Sequence, residues 1–121
     1  MAQEPLVESD IEAGRELVRA LDRASVPIVG AFWFYMTESD DWKLLIVTRE
    51  ADRGAHSLYL KAIEQKSQLD LTKVQFVPPS SPVFKALSGA MRVEGLANMR
   101  LTQNMLNGVY IDDALVYRLA A

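Results

Sequence analysis

An α+β domain, with a mixed and mainly antiparallel sheet and helices packed on it, follows from two patterns in the chain. Three stretches repeat apolar residues at helical spacing, five short ones are rich in β-branched and aromatic residues, and they run in the order α-β-β-α-β-α-β-β. The run from Ile28 to Met36 is apolar on both alternating faces, as expected of a central strand covered on two sides. A length of 121 residues fits one domain, with residues 1–8 as a flexible lead and 9–121 as the globular unit.

The first helix is expected over about residues 10–25. Ser9 and Glu12 have the spacing of a capping box, in which the hydroxyl and the carboxylate each satisfy a free backbone amide. Ile11, Leu17, Val18 and Leu21 then form one apolar stripe, and Pro27 ends the helix. Ile28–Met36 and Trp42–Thr48 read as a hairpin around the polar turn Glu38-Ser39-Asp40-Asp41. Ala55, Leu58, Tyr59, Ala62 and Ile63 predict a second helix at about 55–67. Lys73–Val77 is a short strand ended by Pro78 and Pro79.

Ser81-Pro82 opens the third helix, with Pro at its first position, where the missing N–H costs nothing. That helix is expected to reach about residue 91. Met99–Thr102 alternates like a strand, and Asn107-Gly108 is a strong turn signal. Val109–Ile111 and Leu115–Leu119 are strand-like on either side of Asp112-Asp113, and fit either one bulged strand or two short ones.

Composition excludes several chemistries. The chain has no Cys, so it has no disulfide, Cys-ligated zinc, iron–sulfur cluster or catalytic thiol. A single His excludes a two-His metal site within one chain. No phosphate-cradling glycine loop is present, and no metal or cofactor is assigned. The longest apolar run, Ile28 to Met36, falls short of the roughly 20 residues of a membrane helix, so no membrane partner is expected. The acidic N-terminus has neither the basic nor the apolar region of a secretory leader, so a cytoplasmic location is expected. With 13 Lys and Arg against 16 Asp and Glu, and no two basic residues adjacent, charge argues against nucleic acid. Arg92, Arg100 and Arg118 are the residues that would have to converge to reverse that.

Three groups of residues are candidates for function. Arg49, Arg53 and His56 lie where a strand ends and a helix begins, a place suited to anions; the plainer reading is a solvated first turn. Asp112 and Asp113, or Asp41 with Lys43, would be the working residues of a small metal-dependent hydrolase or nuclease if they converged; the plainer reading of the first pair is a turn or bulge. Phe32-Trp33-Phe34-Tyr35 reads as core more than as a ligand pocket; the hydroxyls of Tyr35, Tyr110 and Tyr117 need partners if buried, and one of the three could line a cleft.

Residues Leu17–Ala24, Trp33-Phe34-Tyr35 with Trp42-Lys43-Leu44, and the ending Asn107-Gly108-Val109-Tyr110-Ile111-Asp112-Asp113-Ala114-Leu115-Val116-Tyr117-Arg118-Leu119 resemble a family of small uncharacterised bacterial proteins. The likeness covers most of residues 10–119, and its last block is the most specific. It implies a bacterial, cytoplasmic, stand-alone domain with no catalytic residues to carry over, and it marks Asp112, Asp113, Tyr117 and Arg118 as candidates for a partner interface. The leading expectation is therefore a non-enzymatic interaction or accessory domain, with a protein partner or a second copy meeting a sheet edge or the C-terminal strands.

Overall fold

A computed structural model describes residues 5–54, 56–65 and 68–120. It is an α+β fold of α1 (Glu8–Arg23), β1 (Ile28–Met36), β2 (Asp41–Thr48), α2 (His56–Glu64), β3 (Val74–Val77), α3 (Pro82–Ala90), β4 (Met99–Leu106) and β5 (Val109–Leu119). The strands form one sheet in the order β3-β2-β1-β5-β4. Three of its pairings are antiparallel, and β2 with β3 is parallel, because the segment containing α2 crosses over between them.

β1 lies at the centre of the sheet, where its two apolar faces are used. Trp33 and Tyr35 join Leu44, Ile46, Phe76 and Tyr117 beneath α1 and α2. Phe32 packs on the opposite face with Leu45, Val47, Val116 and the α3 residues Phe84 and Leu87. α1 approaches the sheet closely at Gly14. A Cβ there would lie 2.9 Å from Tyr117 Oη and 3.0 Å from Trp33 Nε1.

Several details correct the sequence expectation. Two short 3-10 segments, Arg49–Arg53 and Leu71–Lys73, interrupt the expected element order, and Lys73 belongs to the second of them rather than to β3. α1 begins earlier than expected, with Val7 as its N-cap. The Val7 carbonyl accepts from both Asp10 N and Ile11 N at 3.1 Å, so Ser9 is already inside the first turn and caps nothing with its side chain. Asp41 belongs to β2 rather than to the turn. α2 ends at Glu64, while the expected limits at 55 and 66–67 fall outside the described residues.

In the C-terminal region the first of the two readings of Val109–Leu119 holds, one bulged strand, but the bulge is not at Asp112-Asp113. Asp112-Asp113 neither turns the chain nor splits a strand: β5 runs unbroken, and its register shift against β1 falls between Ala31 and Phe32, opposite Val116 and Arg118. β4 continues to Leu106 because β5 offers it a partner along that length. β5 is therefore an interior strand, and only β3 and β4 are edges. Asn107 and Gly108 have φ of 48° and 83°, the left-handed pair that a tight hairpin turn requires. No helix among the described residues is long and apolar enough to cross a membrane.

Candidate functional site

The extended backbone of β5 separates the residues marked as a block. Tyr117 has no exposed surface. Its hydroxyl accepts from Trp33 Nε1 at 2.9 Å and donates to the Ile11 carbonyl, and Arg15 lies 5.5 Å from its ring centre. Burial is the main cause pushing the phenol up to about 12, because the charged phenolate would be stripped of water. Tyr117 is a core strut that ties α1 to the sheet, so its side chain offers no surface to a partner. That corrects its candidacy as an interface residue.

Asp113 is also turned inward. Arg100 on β4 grips it with both arms, Nε to Oδ1 at 2.6 Å and Nη2 to Oδ2 at 2.7 Å. The guanidinium lies 5.6 Å from the Trp42 ring centre, and Tyr35 tilts against Trp42 at 5.5 Å. Donating to the Asp113 carboxylate raises the Arg100 pKa above its ordinary value. Together these groups close one end of the core beneath α1. Arg118 is likewise engaged, donating to both carboxylate oxygens of Asp22 at 2.8 and 2.9 Å and to the Gly95 carbonyl at 2.8 Å.

Asp112 lines a different site. It borders a groove of about 410 Å³ with Phe34 and Met36 from the end of β1, Glu38 from the following turn, and Tyr110 from β5. Tyr110 is 51% exposed, and its cross-strand neighbour Met105 is 65% exposed. The groove exists because α3 is short. A helix of nine residues is about 13 Å long and about 10 Å wide. Five strands spaced about 4.8 Å apart span roughly 19 Å, and a nine-residue strand runs about 30 Å. α3 covers Phe32 and Val47 and leaves Phe34 and Met36 only partly buried.

Of the other expected groupings only Asp41 with Lys43 comes together, as an ion pair. Asp112 and Asp113 serve separate sites, and Asp41 pairs with Lys43 at 3.6 Å. Among the described residues no three His, Asp or Glu side chains come together to hold a metal ion. Arg49, Arg53 and His56 are exposed along successive turns, and none has an ion-pair partner among the described residues. A second groove of about 450 Å³ runs beside α1, with Leu17 and Ala20 in its floor and Glu12, Glu16 and Arg23 on its rim. Its rim mixes both signs of charge, and Gln65 and Gln68 on its wall flank the two undescribed positions.

Tyr110 is one of the three tyrosines that the sequence offered for a cleft, whereas Phe34 read as core, Glu38 as part of a polar turn, and Met36 only as the end of a strand. Their signal was the brevity of the third helix, which acquires meaning only once that helix is known to serve one sheet face alone. Comparisons with models of protein families, with curated proteins and with solved structures find no match for this chain.

Proposed function

We propose that this chain is a non-enzymatic interaction module, an accessory component of a bacterial cytoplasmic assembly, whose protein partner docks on the sheet face that α3 leaves open. The observation that carries the reading is the groove itself. Half-buried Phe34 and Met36 form its floor and exposed Tyr110 its wall, with Met105 beside it. Exposed aromatic and methionine side chains grouped on one surface are the composition of protein interfaces. A hydrolytic role for Asp112 and Asp113 has less support, since the two carboxylates serve different sites.

The test is recovery of a stoichiometric partner on tagged wild-type chain compared with Tyr110→Ala and Met105→Asp. Both substitutions lie on exposed side chains and should preserve the fold. Loss of the partner with both variants is the expected result. A partner held equally by all three chains, or none on the wild type, would overturn the proposal.

A further inference from the structure

We infer that the segment occupying the groove beside Tyr110 carries a Lys or Arg next to a bulky apolar side chain, and that it binds through side chains rather than as an added strand. This rests on the reading of the groove as the docking site. Charge complementarity is the main argument. Many carboxylates of this chain already have cations: Asp10 with Lys73 at 2.9 Å, Asp22 with Arg118 at 2.8 Å, and Asp113 with Arg100 at 2.6 Å. Glu38 and Asp112 have no ion-pair partner among the described residues, and no cation lines the groove they border.

The remaining lining suits the same ligand. Phe34 and Tyr110 present aromatic rings, which attract cations over their faces and accept apolar groups. Met36 is unbranched and adapts to varied shapes. The neighbouring edge, in contrast, is poorly made for strand addition. Gln103 in the middle of β4 has φ of 48°, outside the extended region, and Asn104 Nδ2 donates to the Thr102 carbonyl at 3.0 Å. A visiting strand would meet a bent ladder with one of its carbonyls already engaged.

The experiment selects a displayed library of linear peptides on the folded full chain at low salt. Titrations of the selected peptides then compare wild type with Glu38→Gln/Asp112→Asn and with Tyr110→Ala. The expected peptides share a Lys or Arg beside Leu, Phe or Trp. Their affinity should fall about tenfold in the amide double variant and in wild type at high salt, and be lost with Tyr110→Ala. Peptides that need Tyr110 but carry no basic residue, or ignore the amide variant, would overturn this inference and leave the docking site standing. No selected peptide, or peptides indifferent to Tyr110→Ala, would overturn both. Glu38→Gln lies in an exposed turn, so it carries the charge test alone if the double variant folds poorly.

Discussion

Tyr117 shows how one hydroxyl organises a core. It joins Trp33 on β1 to the Ile11 carbonyl on α1, and Gly14 lets the helix come close enough for that contact. Tyr117→Phe would leave the buried indole N–H and the carbonyl without that partner, a loss of about 1–3 kcal/mol. The same group makes a pH prediction. An unfolded tyrosine titrates near 10, whereas burial holds Tyr117 protonated to about 12. Within that window the unfolded chain binds fewer protons than the native one, so rising pH favours unfolding. Stability from this group is complete below pH about 10 and falls by up to about 1.4 kcal/mol per pH unit above it. Denaturant melts across that range should show a steeper decline for wild type than for Tyr117→Phe; parallel declines would refute the assignment.

Elements are joined in the same way, by side chains that reach between them. Arg118 near the end of β5 holds Asp22 on α1 and the carbonyl of Gly95, in the segment that leads to β4. Its side chain is 13% exposed, so the Asp22 pair is better shielded than an ordinary surface pair, although Asp22 itself is partly open. Arg118→Ala should lower the unfolding free energy by about 1–3 kcal/mol, while Arg118→Lys, which lacks the planar fork, restores only part of that. Partner recovery should be unchanged, because the residue is occupied within the fold. A loss of partner without a loss of stability would reverse that assignment and return Arg118 to an interface. Asn107-Gly108 is readable from two residues as a local turn, and in the fold Asn107 Nδ2 also donates to the Ala86 carbonyl on α3 at 3.2 Å.

The molecule as a whole is asymmetric about its sheet. Two helices cover one face, and nine residues of α3 cover part of the other. Burial then decides what each residue on the second face contributes. Phe84 is 2% exposed between α3 and the sheet, so Phe84→Ala should cost about 3–5 kcal/mol. Tyr110 belongs to the open end of that face, so Tyr110→Ala should change stability by no more than about 0.5 kcal/mol. Chemical denaturation of the two variants checks this contrast. Similar losses would mean that Tyr110 is a packing residue and that the face is not free to dock a partner.

Much of this architecture was legible from local pattern. The two-sided apolar run Ile28–Met36 is the central strand, the period of Leu17, Val18 and Leu21 marks the buried stripe of α1, and Ser81-Pro82 opens α3. These features depend on neighbours a few residues apart, which is the range over which backbone period and turn chemistry act. The helix start at Val7 was not legible, because Ser9 and Glu12 match a capping box whether or not the helix begins there. Nor was the separation of Asp112 from Asp113, which depends on β5 continuing extended through both. The Arg100–Asp113 and Arg118–Asp22 pairs join residues distant in sequence, and the groove depends on which face each helix takes. Periodicity tells a helix which side to bury, but the sheet it meets, and how much of that sheet stays open, are set by long-range packing.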